Sequence, residues 1–415
     1  MVNGQDKTGS GKLRIAWICH FMNQSIKERL NIKEAVKELA PWVTLGIKEI
    51  KKRQDIELHV IAPLYSITRH RTLTDDNVNY HFVKLGVPFS TRRWPHRFDL
   101  DFLTGFLPFK RRVKGLIRKI KPDLVNLIGA ENAYYSSSAL NLTHLPLLVT
   151  IQGFISLNNE AGTGDQRMVL KRISTEAEIL KKMRHFGIED SSTENYIKGI
   201  NPLAVMHWFH LPFAKTAVEN RPRKEYDLVF FARVTAMKGI EDLITAVYEL
   251  QLFKPDITLE IIGNGDSDYI RKLQEKIRDL GLSENIKFRG FIPSQQEMHY
   301  EVMKARISVL PTYNDTIPGT IVESMLLGLP VISYKTGGIP DLNREGEYIR
   351  LVEKGDVKAL INEITGLLSN NELQARMGEK ARQYALKRFD NSRSVDLLIN
   401  AYREVINDFK HTAGR

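Results

Sequence analysis

The sequence predicts an α/β protein of two doubly wound domains, each a mostly parallel sheet covered by helices on both faces, facing each other across a cleft. Three observations carry this reading. The chain has 415 residues, more than one hydrophobic core serves, since single cores stop growing near ~250 to 300 residues. Short apolar runs rich in branched side chains alternate with stretches of helical spacing, and they do so twice. A polar, aperiodic stretch carrying Pro222 separates the two sets. With 42% apolar and 26% charged residues, the composition excludes wholesale disorder, a collagen-like repeat and a membrane bundle.

Residues 1–12 read as a disordered polar tail. The first domain, 13–214, takes its strands from Leu13 to Cys19, Ile56 to Ala62, Val78 to Leu85, Asp123 to Ile128 and Leu147 to Gln152. A charged stretch from Ser25 to Ala40 precedes a helix opened by Pro41 and Trp42. Residues 215–226 form the linker. The second domain, 227–391, runs through Leu228 to Ala232, Ile257 to Ile262, Asn285 to Phe288, Ile307 to Leu310, Val331 to Tyr334 and Tyr348 to Val352. Between its first two strands Ile240, Leu243, Ile244, Val247 and Leu250 form one apolar stripe at helical spacing, and Ser294 with Glu297 makes a capping box for a later helix. The chain closes, within 392–415, on a helix whose Val395, Leu398, Ile399, Tyr402 and Ile406 need a partner, so it is expected to pack back on the first domain.

No apolar run approaches the ~18 residues that span a bilayer, and the N-terminus lacks the apolar core of a signal peptide. A cytoplasmic protein is expected. The single cysteine, Cys19, cannot form an internal disulfide and lies in an apolar run, so it reads as a packing residue rather than a redox or zinc ligand.

Charge is unevenly placed. The net +11 belongs to the first half: residues 1–200 hold 31 Lys and Arg against 20 acids, whereas 201–415 hold 29 of each. Within 91–121, Arg92, Arg93, Arg97, Lys110, Arg111, Arg112, Lys114, Arg118, Lys119 and Lys121 are interleaved with Trp94, Phe98, Phe102, Leu103, Phe106, Leu107 and Phe109. Basic plus aromatic is the pattern of a segment that sits on an anionic membrane surface; its bland counterpart is a solvated helix face beside a partly buried loop. Nucleic acid is not an expected partner, because no recognition motif accompanies the charge.

Doubly wound sheets bind ligands beyond the carboxyl ends of their strands, and informative residues of the second half stand there. Arg233 and Lys238 follow one strand. Another leads into Asn314, Asp315 and then Gly319, Thr320 and Ile321, where a helix begins. Free amides of Thr320 and Ile321 at that N-terminus suit a phosphate, Gly319 permits close backbone approach, and Arg233 with Lys238 supplies compensating charge. Glu323, one turn into the helix, is placed to accept from ribose hydroxyls, and Asp315 from sugar hydroxyls. Local capping or pairing is the structural alternative for each carboxylate.

Taken in order, Arg233 with Lys238-Gly239, Gly263-Asn264-Gly265-Asp266, Phe288-Arg289-Gly290-Phe291, the acid pair Asp315 and Glu323, Gly328-Leu329-Pro330-Val331-Ile332, and Gly337-Gly338-Ile339-Pro340 resemble retaining glycosyltransferases of family 4, which have the GT-B fold of two Rossmann-like domains. The resemblance spans about residues 226 to 390. It implies a nucleotide diphosphate sugar as donor substrate with no separate cofactor; no metal is expected either, because Arg233, Lys238 and the helix N-terminus at Thr320 can meet the charge and no Asp-x-Asp motif stands after a strand. It assigns Arg233 and Lys238 to the diphosphate, Glu323 to the ribose, Asp315 to the donor sugar, and the backbone of Arg289, Gly290 and Phe291, beside Gly263 and Asn264, to the base. Asp315 departs from the usual Glu and is about one bond shorter.

The first half resembles the family more weakly. The Gly-rich turn after its first strand is missing, and Gln152 stands where many members carry a histidine; glutamine orients a hydroxyl but does not titrate. His20 also lies at a strand end, and Arg167, Lys171 and Arg172 read first as a solvated helix face. The reading implied is transfer of a hexosyl-type group to a saccharide or lipid-linked acceptor, in cell-surface polysaccharide or glycan assembly. Departure of a diphosphate builds negative charge that Arg233, Lys238 and the helix N-terminus can meet. The rivals are a nucleotide-sugar 2-epimerase on the same fold, for which no acid/base residues stand out, and a non-catalytic carbohydrate-binding protein, against which the complete set Arg233, Lys238 and Glu323 argues. A nicotinamide enzyme is unsupported, since Gly263-Asn264-Gly265 lacks the third glycine of that fingerprint.

Overall fold

The computed structural model describes residues 12–32, 40–95, 98–157, 166–214 and 221–413. The expected tail, apart from Lys12, the 33–39 part of the charged stretch, Arg97, and 215–220 of the linker lie outside the described residues. The chain divides into two units: Met1–Ile188 with Tyr196–Pro212 and Asn391–Arg415, and Glu189–Asn195 with Phe213–Asp390.

The first unit holds eight strands: β1 (Leu13–Ile18), β2 (Ile56–Leu64), β3 (Arg71–Asp75), β4 (Val78–Lys84), β5 (Leu124–Ile128), β6 (Leu147–Thr150), β7 (His185–Ile188) and β8 (Val205–Trp208). Their order is β3-β4-β2-β1-β5-β6-β7-β8, parallel except for the β3–β4 hairpin. Every residue of β5 and β6 is buried, as strands covered on both faces must be. Three strands, β3, β7 and β8, lie outside the apolar runs of the sequence. β3 is an edge strand with exposed Arg71 and Thr72 and no apolar run. β7 and β8 have four residues each and carry histidines.

Those histidines explain how the far edge is held. His185 Nδ1 lies 3.1 Å from His207 Nε2. The outer nitrogens meet the last helix, Asn391–Ala413, His185 Nε2 at 3.0 Å from Asp408 Oδ2 and His207 Nδ1 at 3.0 Å from Glu404 Oε2. The apolar stripe of that helix enters the first unit's core as expected, with Val395, Ile399 and Tyr402 buried. The Tyr402 hydroxyl accepts from Trp17 Nε1 at 2.8 Å and Asn126 Nδ2 at 2.9 Å, so a buried polar atom is satisfied rather than stranded. Cys19 is buried against β1's neighbours, and burial pushes its thiol pKa up.

The second unit is a six-stranded parallel sheet of β9 (Tyr226–Phe231), β10 (Leu259–Ile262), β11 (Ile286–Gly290), β12 (Ala305–Leu310), β13 (Val331–Tyr334) and β14 (Arg350–Val352). Each follows from an apolar run of the sequence. The order is β11-β10-β9-β12-β13-β14, so the direction of winding reverses between β9 and β12, the place where such sheets open a crevice for a ligand. The Ile240 to Leu250 stripe is buried on the helix Ile240–Gln251, and Ser294 caps the helix Gln295–Met303 by accepting from the Glu297 amide.

Candidate active site

The loops leaving β9 and β12 are stitched together at the reversal point of the second sheet. The Tyr313 amide donates to the Met237 carbonyl at 2.8 Å, and a Cβ on Gly239, whose φ is +70°, would stand 1.8 Å from the Pro311 carbonyl oxygen. Only glycine fits so close an approach in that conformation. The Tyr313 and Tyr334 hydroxyls both donate to Asp242 Oδ2 at 2.6 Å, and the hydrogen bond to this carboxylate, with burial, pushes the Tyr313 phenol up to about 12.

On this frame Lys238 and Asp315 meet directly. Lys238 Nζ donates to Asp315 Oδ1 at 2.7 Å and to Oδ2 at 2.6 Å, and the buried Thr312 hydroxyl donates to Oδ2 at 2.7 Å. Arg233 stands exposed after β9, and Asn314 is half-buried beside Asp315. The helix Gly319–Leu326 has Pro318 as its N-cap without a side-chain cap. One expectation is corrected here: the Ile321 amide is not free. It donates to the Pro318 carbonyl at 3.0 Å, because the first turn tightens to an i to i+3 bond. Among the described residues the amides of Gly319 and Thr320 have no acceptor, so the anion-binding capacity rests on these two.

Glu323 is held from the side: Gln295 Nε2 donates to its Oε1 at 3.1 Å, and His299 Nε2 lies 3.7 Å from the same oxygen. Neither neighbour was singled out from sequence, although the capping box at Ser294 places both, four residues apart, on one face of their helix. Gly263 donates its amide to the Gly290 carbonyl at 2.9 Å, and the Asn264 carbonyl accepts from Val234. These two backbone oxygens are therefore engaged within the sheet's own loops. The Arg289 side chain turns to Glu260 at 2.9 Å and Glu301 at 3.3 Å, whereas Phe291 is exposed.

In the first unit the reversal lies between β1 and β5. His20, after β1, has Nδ1 3.0 Å from the Tyr134 hydroxyl, and burial with the nearby Arg93 charge lowers its pKa. After β5 stands Glu131, a residue the sequence reading passed over although it occupies the same kind of strand-end position. Its Oε1 accepts from Asn132 at 3.2 Å, while Oε2 is buried without a hydrogen-bond partner, and burial pushes the carboxyl pKa up to about 7. Arg172 donates to the Glu131 backbone carbonyl, not to its carboxylate. Gln152 lies half-buried just past β6.

The basic segment divides by helical geometry. On the helix Leu107–Ile120, Phe109, Val113, Ile117 and Ile120 are buried, while Arg111, Arg112, Lys114, Arg118 and Lys119 are exposed. Phe109 therefore belongs to the core and not to a surface patch, a correction that follows from the i, i+4, i+8 spacing from Phe109 to Ile117, and Phe106, the N-cap of the same helix, is buried as well. Phe98, Leu100, Leu103 and Leu107 remain exposed.

Residues 214–384 match the family model described as glycosyl transferases group 1. A GDP-mannose-dependent alpha-(1-6)-phosphatidylinositol monomannoside mannosyltransferase of Mycolicibacterium smegmatis is 27% identical over 241 residues, 53% of this chain and 60% of its own. A D-inositol 3-phosphate glycosyltransferase of Corynebacterium glutamicum is 25% identical over 340 residues, 74% of this chain and 76% of its own. The chain spans 60%, 47% and 51% of the length of the first three curated relatives it matches. Among solved structures, sucrose-phosphate synthase of Thermosynechococcus elongatus superposes with a TM-score of 0.72 at 17% identity, covering 96% of this chain and all of that one. Anabaena HepE in complex with UDP gives 0.66 at 16%, covering 95% and 100%. The two Rossmann-like units are those of the GT-B fold.

Proposed function

We propose that the chain is a family 4 retaining glycosyltransferase that moves a hexosyl group from a nucleotide diphosphate sugar to a saccharide or lipid-linked acceptor, in cell-surface polysaccharide or glycan assembly on the cytoplasmic side. The observation that carries this reading is the pairing of a fixed ammonium, Lys238, with a helix start whose Gly319 and Thr320 amides are open, both on loops at the reversal point of the second sheet. A diphosphate needs that combination of point charge and oriented amides. Arg233 adds a second cation, and Glu323 is the residue that the resemblance assigns to the ribose. As the bond from the anomeric carbon to the phosphate oxygen breaks, negative charge gathers on the diphosphate, and preorganised donors stabilise it more than they stabilise the ground state. In a same-face displacement the acceptor oxygen bonds to the anomeric carbon and its proton passes to the departing phosphate oxygen, which retains configuration without a protein nucleophile.

The first test is thermal shift with a panel of UDP-, GDP-, ADP- and dTDP-sugars, because a ligand that binds only the folded state must stabilise it. The stabilising donor is then incubated with candidate acceptors, with and without chelator, and the product's anomeric configuration read by NMR. An epimer formed from donor alone would overturn transfer in favour of isomerisation, and loss of turnover in chelator would overturn metal independence. For the acceptor side, exposed Phe98, Leu100, Leu103 and Leu107 beside the basic face of Leu107–Ile120 support a membrane-held acceptor. Flotation with anionic vesicles, weakening as salt rises, is expected. Absence of flotation at physiological salt would remove the membrane without touching transfer. Among the described residues no helix is long and apolar enough to cross a bilayer.

A further inference from the structure

The family resemblance assigns Lys238 to the phosphate and Asp315 to the sugar as independent groups, yet the two side chains hold each other. Both Asp315 oxygens accept from Lys238 Nζ, and Oδ2 accepts in addition from Thr312 Oγ1. A carboxylate offers about four lone-pair positions, so most of this one is spent within the chain. The backbone on each side is fixed as well. The Lys238 amide donates to Thr235 at 3.0 Å and the Gly338 amide to the Asp315 carbonyl at 3.3 Å. A Cβ at Gly337, whose φ is +53°, would lie 1.6 Å from that carbonyl oxygen. Thr312 itself is fully buried. The side chains of the pair are only 23% and 19% exposed, which limits solvent screening relative to a surface pair.

We propose that Asp315 is a positioning residue for Lys238, setting where the ammonium stands for the diphosphate. This rests on the reading of the second unit as a nucleotide diphosphate site. An unpaired lysine is a flexible point charge on four carbons; pinned by two carboxylate oxygens it still has a third N–H to offer a phosphate oxygen. The shorter acid suits this role. An aspartate bonded to Lys238 and Thr312 stays close to its own loop, with its charge already offset before any sugar arrives.

The experiment compares two ligands, the stabilising nucleoside diphosphate without its sugar and the matching nucleotide sugar. Their affinities are measured by calorimetry for the wild type, Asp315→Asn, Lys238→Met and the double variant. If Asp315 acts through Lys238, Asp315→Asn weakens both ligands, the sugarless diphosphate at least fivefold, and has less than a twofold effect on that diphosphate in the Lys238→Met background. Thr312→Val, which leaves the ion pair but removes its anchor, moves both affinities in the same sense by less. The proposal is overturned if Asp315→Asn leaves the sugarless diphosphate unchanged while the nucleotide sugar weakens, or if neither moves, or if the effect persists without Lys238. Failure of every nucleoside diphosphate to bind the wild type would instead sink the glycosyltransferase reading, and this inference with it.

Discussion

Replacing Glu131 with Gln should stabilise the protein at alkaline pH and do little at acid pH. Glu131 follows β5, has one carboxylate oxygen buried without a partner, and has its pKa raised from 4.5 to about 7, chiefly by burial. A raised acid pKa means the folded chain keeps a proton that the unfolded chain releases above pH 4.5. The stability contributed by the neutral acid is therefore fully present below pH 4.5 and is lost as pH rises through about 7. A pKa difference of roughly 2.5, at 1.36 kcal/mol per unit, sets an upper value of about 3 kcal/mol. Solvent reaching the rest of the side chain reduces it, so a gain of about 1–3 kcal/mol for Glu131→Gln is expected at pH 8, because Gln resembles the neutral acid in shape. The assay is urea unfolding at pH 4.5, 6 and 8 followed by tryptophan fluorescence. All four tryptophans, Trp17, Trp42, Trp94 and Trp208, belong to the first unit, so the signal reports the unit that holds Glu131. A difference between variant and wild type that is constant across the three pH values would refute the buried, neutral carboxyl.

Lys238→Ala and Arg233→Ala should each weaken nucleotide diphosphate binding and lower turnover about a hundredfold or more, the loss typical of removing one donor from developing negative charge; unchanged kinetics in both would remove the phosphate assignment. Glu323→Gln should lose donor affinity while its melting temperature stays near that of the wild type, since the amide keeps an oxygen that can accept from Gln295 and stand beside His299; normal nucleotide binding would show that the second acid is structural. Burial holds His59, His81, His185 and His207 below the ordinary histidine value of 6.5, His81 at about 4. Despite the opposing pull of Glu57, Glu404 and Asp408, these neutral rings should cost stability as pH falls from 6.5 toward about 4. The loss should be clearest in the Glu131→Gln background, where the opposite slope is gone, and a flat unfolding profile there between pH 7 and 4.5 would contradict it.

Much of the second unit was legible because its signals are local. Most of its strands are short apolar runs, its capping box lies within four residues, and the loop from Thr312 to Gly319 announces a strand-to-helix turn by composition alone. The engaged Ile321 amide is not legible in the sequence because bond assignment in a helix's first turn depends on backbone geometry and not on residue type. The first unit hid more: β3 is polar at an edge, and β7 and β8 are four-residue strands whose histidines become buried only against Asp408 and Glu404 of a helix some 200 residues later.

The sequence by itself determined the alternation of strands and helices, the division into two sheets, the apolar stripe of the last helix and the strand-end positions of Arg233, Lys238, Asp315 and Glu323, because periodicity and turn chemistry act over a few residues. Only the tertiary structure decided that Lys238 is clasped by Asp315, itself anchored by Thr312, that Phe106 and Phe109 are core while Phe98 and Leu103 are surface, and that one carboxylate oxygen of Glu131 is buried without a partner. Each of these depends on which distant segment lies opposite, and charge pairing, solvent exclusion and pKa are properties of that neighbour as much as of the residue itself.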